Sequence, residues 1–185
     1  MIMIDETDWQ DIVHSGRNGL QCVQQMASEM LQRMADLDKT LMKVSMTSGG
    51  RMIIPPVRNP RIRHDGMGSG DFMANRGKRK HPGLDLEIDE EGQDIIMPLR
   101  NAVVIREFFP YYGVPFWRGV EVGNEMFICK IHYSIPIMDL IGKEVPQGEV
   151  IAHAQDISQK YGHQMKKHIH WECFLNLTGT LPKQL

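Results

Sequence analysis

HPGLDL, His81 to Leu86, and HIHWE, His168 to Glu172, are the stretches whose reading decides the fold. In the first, Pro82 cannot donate to a sheet ladder and Gly83 permits a sharp backbone path. It reads as a turn leading into a strand, with His81 and Asp85 four residues apart. In the second, alternate residues of a strand share a face, so His168 and His170 point the same way. Three ligands drawn from His and Asp, with a fourth position left to water, are what a catalytic zinc site requires. The other histidine of the HIH pair is then free for proton work beside the metal.

Working outward, the flanks read as short strands. Leu84 to Ile88 alternates apolar and acidic residues, and Ile95–Leu99 and Ala102–Ile105 are short apolar runs. Val120–Val122 and Met126–Ser134 read as a hairpin, and Gly142, Val145, Gly148 and Ile151 mark two tight turns around a short strand. Many short strands punctuated by Gly and Pro predict a mainly β chain, an antiparallel sandwich or barrel-like hybrid. Ile62 to Phe72 is glycine-rich without the spacing of a phosphate loop, and reads as a tight turn entering a first strand. Arg76 to Lys80 is basic, but acids follow at once, so it reads as a solvated turn beside the site. The aromatic run Phe108 to Trp117 has two open readings: a loop folded over the core, or the wall of a substrate groove.

The N-terminal part differs. Leu20, Val23, Ala27, Met30, Met34, Leu37, Leu41 and Val44 recur at spacings of three and four, the seam of an amphipathic helix. It lies on the chain's own domain, or forms an oligomer or docks on a larger assembly through residues 20–44. Thr47 to Gly50 breaks it, and Pro55-Pro56 and Asn59-Pro60 read as a continuing linker. The expected division is 1–47 for the helix and 48–185 for the β domain.

Composition narrows the function classes. The 185 residues are 42% apolar and 24% charged, with a net charge of -2, so no global basic field points to nucleic acid. No apolar run reaches the length of a membrane span. The first residues, MIMIDETDWQDIV, carry early acids and do not read as a signal peptide. Cys22, Cys129 and Cys173 give neither a zinc-finger spacing nor a disulfide framework. Cys129 lies three before His132 and Cys173 three after His170, so both should face away from the site. Neighbouring strands would bring them together, as thiols in a reducing compartment.

The order of these pieces resembles the lysostaphin-type zinc endopeptidases. That family shows a His-x-x-x-Asp element, a central strand ending Ala-His-Leu-Ser, a Gly-x-x-Val-x-x-Gly-x-x-Ile turn pair and a His-x-His-Phe-Glu strand. This chain has His81-Pro-Gly-Leu-Asp85, then Ile131-His132-Tyr-Ser134. Gly142, Val145, Gly148 and Ile151 follow in the turn-pair spacing, and His168-Ile-His170-Trp-Glu172 closes the series. The likeness spans about residues 60–176, with Ile131 and Tyr133 departing from the central pattern. The Gly-rich approach to His81 is also similar to that of the leukocyte cell-derived chemotaxins, a branch that keeps zinc and signals.

The resemblance implies one zinc ion held by His81, Asp85 and His170, with His132 and His168 as the catalytic histidines. Glu172 shares the strand face of the HIH pair and is placed to orient a ligand. The implied activity is hydrolysis of peptide cross-links in bacterial peptidoglycan, reached by leaderless release or as part of a phage particle. The alternative is a zinc-bearing signalling or binding domain of the same fold without turnover.

Overall fold

The computed structural model describes residues 52–162 and 164–180. The helix expected over residues 20–44 lies outside them, as do His14, Cys22 and His163. Two small hairpins come first. One is β1 (His64–Asp65) with β2 (Gly68–Ser69); the other is β3 (Asn75–Arg76) with β4 (Arg79–Lys80). They are followed by β5 (Leu84–Glu87), β6 (Asp94–Ile96), β7 (Ala102–Phe108), β8 (Gly119–Gly123) and β9 (Phe127–His132). The chain ends through β10 (Ser134–Pro136), β11 (Glu144–Val145), β12 (Val150–Ala154) and β13 (His168–Leu175). A one-turn helix, Ser158–Tyr161, precedes β13.

Two antiparallel sheets form the body. The larger runs β11-β7-β8-β9-β13-β5 and the smaller β10-β12-β6. Leu86, Val104, Val120, Val122, Ile131 and Ile169 from the larger sheet meet Ile95, Ile151, Ala152 and Ala154 from the smaller in one buried cluster. Each such side chain, fully buried, is worth roughly 1.5–3 kcal/mol if it is Val, Leu or Ile. The expectation of a mainly β chain, an antiparallel sandwich or barrel-like hybrid, agrees with this architecture.

The core fixes the site by parity. Ile169 is fully buried among the core residues, and Ile131 opposes Trp171 in the β9–β13 register. His168, His170 and Glu172 alternate with them and stand on the other face. A one-residue slip would put the imidazoles into the hydrocarbon core, so burial of the apolar set specifies where they stand.

One expectation is corrected. Pro55-Pro56 is not linker. Pro56 and Val57 are buried, Ile54 N–H donates to Pro98 O at 2.9 Å, and Ile96 N–H donates to Pro56 O at 2.8 Å. Ile53 bridges to Leu99. Proline lacks a donor but keeps its carbonyl, so a Pro-rich stretch can border a sheet by accepting. The turn pair is as read: Gly142 and Gly148 take φ of 81° and 90° on either side of β11.

Candidate metal centre

Strand register builds the centre. His170 opposes His132 on β9 and Asp85 on β5, so three neighbouring strands place His132, His170 and Asp85 in one row. Directly opposed residues have Cβ atoms about 4.5–5.5 Å apart, close enough for short side chains to meet. His81 enters from the loop before β5. Its backbone is pinned by His81 N–H donating to Ala74 O and Met73 N–H donating to His81 O, both at 2.9 Å.

Three ligand atoms converge. His81 Nε2 lies 2.9 Å from His170 Nδ1 and 3.1 Å from Asp85 Oδ1, and His170 Nδ1 lies 2.9 Å from Asp85 Oδ1. All three residues are buried. The partners of the outer ring atoms show why a cation fits. His81 Nδ1 is 2.8 Å from Asp71 O, an acceptor, so this nitrogen carries the proton and Nε2 is a lone pair. His170 Nε2 is 2.9 Å from Glu172 Oε1, which likewise leaves Nδ1 as a lone pair. With both rings neutral, two lone pairs and a carboxylate oxygen face one another, an arrangement that calls for positive charge at its centre, a proton on His170 Nδ1 or a bound cation. Zinc–nitrogen distances of 2.0–2.1 Å imply ligand atoms about 3.3 Å apart in a tetrahedron. The observed triangle is within a few tenths of that, and all three residues line the cleft. The donor set therefore fits one zinc ion.

The charges around the triangle agree. Burial works to raise the Asp85 pKa, but the His170 hydrogen bond and the nearby imidazoles outweigh it and hold the carboxyl well below the usual range. Burial works to lower that of His170, but Asp85 and Glu172 outweigh it and favour positive charge there. A bound cation would answer the same field. The far oxygen of Asp85, Oδ2, is taken by Arg63 at 3.0 Å and Arg76 at 3.3 Å.

Two more histidines border the triangle. His168 Nδ1 is 2.8 Å from Lys166 O, which leaves Nε2 unprotonated, 4.0 Å from Asp85 Oδ1. His132 stands edge-on to His170 with ring centroids 4.9 Å apart. Its Nε2 is buried without a hydrogen-bond partner among the described residues, 4.0 Å from Glu172 Oε1. Burial, reinforced by His170, pushes the His132 pKa down to about 4, and burial also lowers that of His168. Both rings are therefore neutral near pH 7 and able to take a proton. All five residues singled out in the sequence meet at one cleft of about 270 Å³.

No protein-family model and no curated protein matches the sequence. Solved structures do. Lysostaphin from Staphylococcus simulans aligns at 14% identity and a TM-score of 0.47, over 69% of this chain and 49% of its own. A zinc-containing peptidase from Vibrio cholerae aligns at 19% and 0.47, over 71% and 41%. The catalytic domain of a prophage-encoded M23 protein from Enterococcus faecalis aligns at 16% and 0.45, over 67% and 88%. The fold of this chain is similar to theirs. The chain spans about half or less of the length of lysostaphin and of the Vibrio cholerae peptidase.

Several cleft residues escaped the sequence reading. Arg63 is buried at 2% exposure and holds both Asp65 and Asp85. Its signal was a charge pattern: Ile62 pairs with Leu86, so Arg61-Ile-Arg63 lies beside Asp85-Leu-Glu87, and Arg61 meets Glu87 at 3.3 Å. Nothing local shows that these segments are neighbours. The aromatic run divides between its two readings. Trp117 is buried, whereas Pro110 and Tyr111 line the cleft, where Tyr111 hydroxyl meets those of Tyr133 at 2.9 Å and Tyr161 at 2.8 Å. Tyr133 takes a φ of 62° where β9 gives way to β10. His64 and His153 stand apart, exposed beside Asp71 and Asp94.

Proposed function

We propose that this chain is a zinc-dependent endopeptidase of the lysostaphin type, hydrolysing peptide cross-links of bacterial peptidoglycan. The observation carrying it is the convergence of His81 Nε2, Asp85 Oδ1 and His170 Nδ1 within 3.1 Å, beside His132 Nε2, which has no hydrogen-bond partner among the described residues, and His168 Nε2, 4.0 Å from Asp85 Oδ1. His81, Asp85 and His170 would hold the metal. When bound, zinc supplies water acidified to near neutral pH and polarises the carbonyl to be attacked.

The chain's own residues do the rest. His168 keeps one tautomer through its Nδ1–H to Lys166 O, so its Nε2 accepts a proton from the attacking water. His132, also neutral, flanks the reacting carbonyl from the β9 side, where an N–H of the neutral ring donates to the developing oxyanion. His168 then returns the proton it took from water to the leaving amine. Glu172 turns His170 by accepting from Nε2–H, as outer carboxylates do for zinc histidines. A domain that only bound zinc would have no use for a neutral, unpartnered imidazole at His132.

Metal analysis of the purified chain is expected to give one zinc per molecule. A zymogram on purified cell wall should clear, and should not clear after chelation. His168→Ala should keep its zinc and lose clearing by about 10²-fold or more. Full clearing by that variant would remove the mechanism. One zinc without clearing by the unaltered chain would leave the signalling or binding reading.

A further inference from the structure

The walls of the cleft carry unequal charge. Its acidic lining is Asp85 and Glu172, and both are engaged, by Arg63, Arg76 and His170. Its basic lining is Arg63, Arg76, Arg79 and Lys80. The last three belong to the β3–β4 hairpin, which ends one residue before His81. Within that hairpin Arg76 stands directly opposite Arg79. Like charges directly opposed on paired strands are destabilising; Arg76 is offset by Asp85 at 3.3 Å, and Arg79 is not. Arg79 has no carboxylate partner among the described residues, and Lys80 Nζ reaches only Asn75 Oδ1, at 2.6 Å. Both are exposed. The tyrosines of the lining, Tyr111, Tyr133 and Tyr161, add no carboxylate, and Lys160 Nζ lies over the Tyr111 ring, 3.1 Å from its centroid. Burial pushes the Tyr133 hydroxyl up to about 12, so it stays protonated.

We propose that the β3–β4 hairpin is a carboxylate-binding wall, and that the cleft takes an acidic peptide in preference to a neutral chain. The carboxylate would lie next to the bond held at the centre, since Lys80 precedes His81. This rests on the peptidase reading for its substrate and narrows it: stem peptides with free carboxylates fit, and uncharged oligoglycine bridges do not. Arg79 supplies a forked, bidentate donor and Lys80 a point charge, the pair of groups that recognises a carboxylate.

The test is calorimetry on the zinc-loaded full chain. The probes are the stem tetrapeptide L-Ala–D-Glu–L-Lys–D-Ala, its C-terminal amide, its D-Gln twin, the twin carrying both changes, and capped pentaglycine. The free acid should bind about tenfold or more tighter than the doubly neutral twin at low salt. That advantage should shrink at an ionic strength of about 0.5 M, where screening is short-ranged. The two single twins tell whether the terminal or the side-chain carboxylate is read. In Arg79→Gln/Lys80→Gln, folded by circular dichroism, the ratio should fall towards one. Equal binding of free acid and neutral twin, or a ratio untouched in the double variant, overturns the proposal. Mass spectrometry of cross-linked muropeptides incubated with the same protein keeps the two ideas apart. Preference for the free acid without any cleavage upholds the wall and removes the peptidase; cleavage without preference does the reverse.

Discussion

Arg63 ends on two carboxylates in a nearly closed site, 2.6 Å from Asp65 and 3.0 Å from Asp85. Removing one member of a buried pair leaves charge without a partner, at a cost of about 3–5 kcal/mol. Arg76 also reaches Asp85, which places Arg63→Met at the lower end. Urea unfolding of the metal-free protein should show the loss, and zinc affinity should fall about 10- to 100-fold as Asp85 loses its anchor. An unchanged midpoint and zinc affinity would count against the pair. His132 gives a prediction in pH. Its folded pKa is about 4 because burial opposes its charge, below the ordinary value near 6.5. Between those values the unfolded chain binds the proton and the folded chain does not, so stability present above about pH 6.5 is lost as pH falls toward 4. His168 acts in the same direction and His170 in the opposite one. The informative quantity is the difference between the unaltered protein and His132→Asn, whose metal-free stability should fall less steeply across that window. Parallel slopes would refute the assignment. At this scale the ligands were legible because their types and spacings are chemical; Arg63 was not, because a buried arginine is recognised only from what it faces.

Among elements, the turn before β5 shows a residue doing more than was read from it. Gly83 sits in a bend as expected, although its φ is not in the left-handed region. A Cβ there would collide with Trp171 O and crowd His170 Cε1. The missing side chain is what lets the His81 loop close on β13. Gly83→Ala should therefore destabilise by about 1–3 kcal/mol and weaken zinc binding together, read by thermal melts with and without the metal. A melt unchanged in both would show that the contact gives way easily. The strands β9 and β13 carry a second device. Cys129 and Cys173 are directly opposed, with Sγ atoms 2.8 Å apart and both thiols free, Cys173 exposed. Parity had placed them away from the site, and Cys129 does join the core cluster. Opposed antiparallel residues have Cα separations of about 4.5–5.5 Å, inside the range a disulfide spans. Glutathione disulfide should oxidise the pair to one bond, giving two reduced glutathiones and stabilising the fold by about 2–4 kcal/mol. Non-reducing mass spectrometry and urea unfolding check both halves; persistence of two free thiols under oxidant would exclude the bond.

For the molecule as a whole, the short strands and their turn residues were readable, because period-two burial and glycine chemistry are local. The sheet order was not. β13 lies between β9 and β5, strands far apart in sequence, and only that placement brings His132, His170 and Asp85 into a row. The same blindness to distant partners turned Pro55-Pro56 into a linker. We propose that the domain boundary nevertheless falls at residues 47/48, ahead of this packed segment, and truncation tests it. A chain beginning at Ser48 keeps Ile53 against Leu99, buried Pro56 and Val57, and the backbone bonds of Ile54 and Ile96. One beginning at Pro60 loses them all. A buried valine is worth roughly 1.5–3 kcal/mol and each backbone bond about 0.5–1.5 kcal/mol, together a large part of a stability of about 5–15 kcal/mol. The longer truncation product should melt cooperatively and bind one zinc, while the shorter should melt well below it or not fold. If the chain from Ser48 bound no zinc, the first 47 residues would belong to the metal domain and the division would be wrong. Equal melting temperatures for the two would instead mean that the Pro55–Val57 segment rests on the sheets without supporting them.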